Sequence, residues 1–241
     1  MIHLVSFGND LYYNALDRLY NESKPFPVSS VSLYRDTDLV KYKDFWERHQ
    51  EFIVKNKRGY GYWIWKPFIV LHTLSQLKDG DILWYVDAGC SLISTGMKRF
   101  LEYIHIVKTN ESGILSFQMS YVTKMWTKMD VLNLFDSSLY NTGQLVGGIF
   151  FLRKCDNTVR LVNEWYDLCC QYHLINDEPS KLPNDDTFQE HRHDQSIFSL
   201  LRYTYGTSII PRNLLKYGPE GEVTYSKFNN DSNPIHANRK F

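Results

Sequence analysis

The sequence predicts an α/β domain built around a parallel sheet, and three observations carry that expectation. Short apolar runs alternate with stretches of helical apolar spacing from the first residues onward. The apolar run Ile82 to Val86 stops on Asp87 and passes at once into the small residues Ala88 and Gly89, as a strand does when it ends at the rim of a sheet. The chain of 241 residues is long enough to bury a core as one domain without disulfide or metal staples.

The elements follow in order. Ile2 to Phe7 reads as a strand that ends at Gly8-Asn9-Asp10, and Leu11 to Tyr20 continues with helical spacing. A second strand is expected around Val28 to Leu33 and a helix around Lys43 to Lys55. Pro67 suits the first position of a helix over Phe68 to Gln76, because its missing N–H has no partner to lose there. After the Asp87 strand come a helix from about Met97 to Val107, a strand at Ile114 to Phe117 and a helical segment over roughly Lys128 to Leu134. Val146 to Leu152 is a continuous apolar run entered through Gly147 and Gly148, a buried strand whose start permits close approach of a ligand. Thr158 to Tyr172 is helical, and Ile175 to Gln189, rich in Asp, Asn and Pro, is a long loop of the kind that carries function. Ser196 to Tyr203 resumes a helix with Asp194 just before it, and Ser208 to Pro211 makes a short strand. The tail from Gly218 to Phe241 is polar and turn-rich.

Composition narrows the function classes. Lys and Arg together number 27, as do Asp and Glu, so no global field draws the chain onto nucleic acid or anionic lipid. Cys90, Cys155, Cys169 and Cys170 have neither zinc-site spacing nor the density of a secreted scaffold, which points to reduced thiols and a cytoplasmic setting. No export signal opens the chain, and no run approaches the length of a membrane span. GxGxxG and GxxxxGK[ST] are both absent, so neither a dinucleotide fingerprint nor a P-loop organises a nucleotide site.

Asp87 has two readings from its position: an acid pointing into the crevice beyond the strand ends, or a cap for the next turn. The segments around it favour the first. Gly59-Tyr-Gly-Tyr-Trp-Ile-Trp-Lys-Pro67, then Tyr85-Val-Asp87-Ala88-Gly89, Gly147-Gly148-Ile149, His193-Asp194-Gln195 and a terminal His236-Ala-Asn-Arg239 together resemble nucleotide-sugar-dependent glycosyltransferases of the GT-A fold. The likeness is to a small viral and bacterial group that carries WxWKP before YxDAG. It implies a single domain with a central mixed, mostly parallel sheet flanked by helices, and a tail over residues 218–241 that closes on the donor site.

The resemblance also implies a chemistry: transfer of a sugar from a nucleoside-diphosphate donor, UDP-linked by preference, to a hydroxyl of a carbohydrate acceptor. Donor contacts would fall on Phe7, Tyr60, Lys66, Asp87, Ala88, Gly89, Gly147, Gly148, His236 and Arg239. Asp87 and His236 would ligate a divalent cation, Mn²⁺ or Mg²⁺, that counters charge growing on the leaving diphosphate. Gly89 stands where the usual Asp-x-Asp motif has its second acid. Lys66 and Arg239 would supply fixed positive charge to the same diphosphate, whereas Lys240 reads as a solvated surface lysine.

Asp194 is either the cap of its helix or the acid that faces the reacting sugar. In an inverting enzyme it would take the acceptor proton, and in a retaining one it would orient the sugar. His191 and His193, two apart beside Asp194, do not form a recognised zinc pattern. The rival readings are a catalytically degenerate domain that binds nucleotide or glycan, and a nucleotidyltransferase, for which Ser6-Phe-Gly-Asn9 is a poor loop.

Overall fold

The computed structural model describes residues 1–211, the backbone of 216–217, and residues 233–237. The chain opens with β1 (Ile2–Gly8), α1 (Tyr13–Ser23), β2 (Ser30–Arg35), α2 (Asp36–Leu39) and α3 (Lys43–Lys55). There follow a one-turn segment α4 (Gly59–Tyr62), α5 (Trp65–Gln76), β3 (Ile82–Val86), β4 (Ser91–Leu92), α6 (Met97–Thr109) and β5 (Ile114–Val122). The last elements are α7 (Met129–Leu132), β6 (Gly143–Arg153), α8 (Asp156–Cys169), α9 (His193–Thr204), β7 (Ser208–Ile210), β8 (Lys216–Tyr217) and β9 (Ile235–Ala237).

Six strands form the main sheet in the order β2-β1-β3-β6-β5-β7. The pairs β2/β1, β1/β3 and β5/β7 are parallel, whereas β6 runs antiparallel to both of its neighbours. The sheet is therefore mixed and mostly parallel. β3 is buried along its whole length, so its side chains alternate between two apolar layers. Leu83 and Tyr85 join Phe150, Trp165 and Phe198 in the layer under α5, α8 and α9, and Ile82, Trp84 and Val86 join Phe100 and Phe151 in the layer under α6.

Ring stacking sets much of this packing. Trp165 lies on Phe198 with centroids 3.8 Å apart, and Tyr85 lies on Phe150 at 4.9 Å. Arg202 of α9 is completely buried beneath β5 and β6, where it donates to the Val146 carbonyl at 2.9 Å and to Ser116 Oγ at 3.2 Å, with its guanidinium over the Phe198 ring. No carboxylate among the described residues lies within ion-pair distance of it, and burial lowers its pKa to about 9, so it stays cationic at neutral pH.

A second, three-stranded sheet lies beside the end of β3 in the order β4-β9-β8. β9 pairs antiparallel with β4, placing His236 opposite Ser91 and Ile235 opposite Leu92. The fit is close: a methyl group on Gly96 would overlap the backbone of Asn233 and Pro234. Arg18 of α1 secures the loop before β4, donating to the carbonyls of Ala88 at 3.0 Å and Cys90 at 2.9 Å.

Several boundaries differ from those expected of the sequence. Pro67 is the third residue of α5 rather than the first, since the helix already begins at Trp65. The segment expected to be helical over Lys128 to Leu134 is a single turn, and β5 and β6 each run beyond the apolar stretches that announced them because they pair with one another. Asp194 lies within the first turn of α9, after the cap residue Arg192. Among the described residues, no helix is long and apolar enough to cross a membrane.

Candidate active site

The carboxyl end of β3, the start of α5, the middle of β6 and the start of α9 meet around one ammonium group. Lys66 Nζ lies 3.2 Å from Asp87 Oδ1 and 3.7 Å from Asp194 Oδ2, and donates to the Gly147 carbonyl at 3.4 Å. The lysine and Asp194 side chains are each 4% exposed, while Asp87 is 43% exposed. Asp87 is thus the face of the cluster open to a ligand, and Lys66 and Asp194 form its floor.

Each member is held in place by its own element. Asp87 extends the β3/β6 ladder, its N–H donating to the Gly148 carbonyl at 2.8 Å, and its Oδ1 also accepts from the Tyr85 hydroxyl at 2.8 Å. Gly147 and Gly148 are glycines for a local reason. A methyl group on Gly148 would overlap the Asp87 carboxylate, and one on Gly147 would come within 2.8 Å of Gln195 Cβ. The space beside both is taken by side chains of the site, and Gln195 Oε1 accepts from the Gly147 N–H at 2.9 Å.

Burial sets the charges. It drives the Asp194 carboxyl up to about 7, with the nearby Asp87 charge adding to the effect and Lys66 opposing it. Burial also pulls on Lys66, but Asp194 and Asp87 outweigh it and hold the ammonium above its ordinary range. Asp194 Oδ2 is fully buried and accepts no hydrogen bond among the described residues, so its charge depends on Lys66 and on whatever binds above it.

The segment leading to Lys66, whose two glycines read in the sequence as a loop, is a left-handed helical turn. Gly59, Tyr60, Gly61, Tyr62 and Trp63 have φ of 57°, 54°, 83°, 51° and 62°. The N–H of Tyr62 donates to Arg58 O at 2.8 Å and that of Trp63 to Gly59 O at 3.1 Å. The two glycines accept this conformation freely, but the three aromatic residues each cost about 1–2 kcal/mol in it. Side chains hold it: Trp65 Nε1 donates to Gly59 O at 2.9 Å, Trp65 stacks on Phe7 at 3.7 Å, and Arg58 pairs with Asp177 and Glu190. His193 is likewise left-handed, with φ of 52°.

The other sequence candidates fall into separate groups. Phe7 is buried against Trp65, with Tyr60 6.0 Å away by ring centroids, so one flank of the site is aromatic. The Ala88 side chain is buried against Ala15 and Leu16 of α1, and Gly89 lies in the loop that follows Asp87. His236 sits on β9, paired with the strand that follows that loop. Arg239 and Lys240 lie outside the described residues. His191 and His193 are fasteners for the incoming chain: His191 Nε2 donates to Leu174 O at 2.8 Å and His193 Nδ1 to Ile175 O at 2.7 Å. Tyr62, whose place beside Gly61 suggests a ring that stacks on a ligand, stacks instead on the His193 imidazole. Tyr85 and Arg202 were passed over by sequence reasoning, although Tyr85, two residues before Asp87, carried a signal.

Asp87 and His236 offer one carboxylate oxygen donor set and one imidazole, and no group of three or more His, Cys, Asp or Glu side chains suited to a metal is gathered among the described residues. Oδ1 of Asp87 is already engaged by Lys66 and Tyr85. A cation held by this pair would draw most of its ligands from a bound diphosphate.

Comparison with solved structures places the architecture. The chain matches, over 98% of its length, a glycosyltransferase involved in glycosylation of the major capsid of PBCV-1, with TM-score 0.51, 7% identity and 92% of that chain covered. It likewise matches mouse xyloside xylosyltransferase 1 in its apo form, with TM-score 0.50, 10% identity, and 98% of this chain and 97% of that one covered. The fold is that of GT-A glycosyltransferases. The galactosyltransferase LgtC, in complex with donor and acceptor sugar analogues, shares it at TM-score 0.50 and 10% identity, with 98% of this chain and 86% of that one covered. No family model matches the sequence, and no curated protein matches it. Within the GT-A fold, the Lys66 cluster occupies the carboxyl end of β3 beside β6, where the sheet changes from parallel to antiparallel.

Proposed function

We propose that this chain is a glycosyltransferase that moves a sugar from a nucleoside-diphosphate donor to a hydroxyl of a carbohydrate acceptor. The observation that carries the reading is the Lys66 ammonium held between a half-exposed Asp87 and a buried Asp194 at the strand ends of a GT-A sheet. In this reading the acceptor oxygen bonds to the anomeric carbon, and the bond from that carbon to the diphosphate oxygen breaks with its electron pair leaving on the diphosphate. Lys66 supplies fixed positive charge at the floor of the site, and Asp194, with a pKa near neutrality, is suited to receive the acceptor proton or to orient the sugar. Asp87 and His236 are the residues that would hold a divalent cation, whose part is to neutralise the departing diphosphate. A UDP-linked donor is favoured by the sequence resemblance alone.

The test is incubation with a panel of nucleoside-diphosphate sugars, with and without Mn²⁺, while released nucleoside diphosphate is monitored. Slow hydrolysis of one donor without acceptor supports the transferase. Binding of a donor without hydrolysis, with or without glycan acceptors, points to the degenerate binder, and absence of both binding and turnover removes the reading. Gly148→Ala tests the placement of Asp87 in the same assay, because the added methyl must push the carboxylate aside. Its affinity for the nucleoside diphosphate by isothermal titration is expected to fall by roughly tenfold, about 1.4 kcal/mol. Unchanged affinity would take Asp87 out of the donor site.

A further inference from the structure

We propose that the left-handed turn and His193 form one positioning unit, in which the imidazole seated on Tyr62 and Trp63 sets the separation between the Lys66 ammonium and the Asp194 carboxylate. The unit is closed at both ends. At one end the rings of Tyr62 and His193 stack with centroids 4.9 Å apart and planes 26° apart, and Trp63 lies 5.3 Å from the same imidazole. At the other end Lys66 and Asp194 meet at 3.7 Å. Only residues 63–66 on one side and the single bond step from His193 to Asp194 on the other join the two ends.

Both arms pass through backbone that does not keep its shape unaided. Tyr62, Trp63 and His193 all have positive φ, a region that residues other than glycine leave unless tertiary contacts hold them. His193 is held by its own hydrogen bond to Ile175 O and by its burial, so it acts as the fixed half and the aromatic turn as the half that rests on it. None of the three aromatic groups is within the Lys66 cluster. They act on it through the chain, which makes them positioning residues rather than catalytic ones.

The inference rests on the proposed reaction only for its kinetic arm, so the experiment also reads the carboxyl directly. The groups acting on Asp194 are Lys66 of α5, Asp87 and Tyr85 at the end of β3, Cys169 of α8 and Arg202 of its own helix. Of these, Lys66 is the one tethered to the turn. In Tyr62→Ala the stack is lost, Lys66 draws away, and NMR titration of Asp194 should show its pKa higher than in the parent by about one pH unit or more. Tyr62→Phe keeps the ring and should titrate as the parent does. Turnover in Tyr62→Ala should fall by about 100-fold with a smaller rise in donor KM, because Lys66 is displaced rather than removed, and Tyr62→Phe should restore both.

His193→Asn gives the same test from the other half, because asparagine accepts left-handed backbone but has no ring to stack. It should raise the Asp194 pKa as Tyr62→Ala does, and it serves if that variant does not fold. An Asp194 titration unmoved in a folded ring-deleted variant overturns the proposal. A raised titration in a protein that consumes no nucleotide sugar keeps the positioning unit and discards the transferase reading.

Discussion

Asp194→Asn is expected to leave a folded protein that binds a nucleoside diphosphate with near-parent affinity and turns the donor over at least about 100-fold more slowly. The substitution keeps the size of the side chain and removes its charge. Because the carboxyl lies behind Lys66 and Asp87 rather than at the open face, its loss should appear in kcat far more than in donor binding. The parent should show the same group in its pH profile. If Asp194 accepts a proton, kcat falls as the pH drops below about 7, the value to which burial drives its pKa. A flat profile from pH 6 to 8 would reduce Asp194 to a sugar-orienting or purely structural acid.

The same variant carries a stability signature of opposite sign. The carboxyl titrates near 3.8 in an unfolded chain and near 7 in the folded one. Between those values the folded protein keeps a proton that the unfolded chain has released, so stability present at low pH is lost as the pH rises through this window and levels off above 7. Asparagine has no charge to bury. Asp194→Asn should therefore melt above the parent at pH 8, with the difference disappearing near pH 4. Gain of stability with loss of turnover is the pattern of a group retained for chemistry.

Lys66→Met is the second large effect. Removing the ammonium leaves two carboxylates across a small buried space, and Asp194 then stays protonated through neutral pH. Donor affinity should fall by at least about tenfold, since the fixed charge beneath the diphosphate is gone. The loss of stability should depend on pH. At pH 5 Asp194 is protonated in both proteins and the pair contributes little, whereas at pH 8 the parent holds a charged pair and its removal should cost about 3 kcal/mol. Urea midpoints measured at the two pH values check this, and equal losses at both would mean that Lys66 does not interact with an ionised Asp194.

The strand ending on Asp87, the lysine set before a proline, and the acid opening the last long helix were all legible in the sequence, because each is a local pattern. Their meeting on one ammonium was not. It depends on β6 entering antiparallel between β3 and β5, a pairing with no local signature. The glycine pair announces a close approach, and within the described residues Gln195 and Asp87 make it at Gly147 and Gly148. The left-handed turn escaped entirely, since Gly-Tyr-Gly-Tyr-Trp reads locally as a loop and its conformation is imposed by Trp65, Phe7 and His193 from elsewhere in the chain. The tail presents the reverse case. Its polar composition argues against order, yet residues 235–237 form a strand because β4 offers them an edge.

Burial of Lys66 bears on how fast, and under what ionic conditions, an anion reaches the proposed site. Among the described residues Lys66 is the cation of the cluster, and it is sealed beneath neighbouring side chains, while the chain as a whole carries no net charge. An anionic ligand in solution is therefore not pulled in from a distance, and its association rate should be ordinary for a neutral pair and nearly independent of added salt. In the proposed reading, counterions do not reach the lysine beneath the bound anion. Its residence time should then hold up as ionic strength rises, unlike that of an anion held by lysines on an open surface.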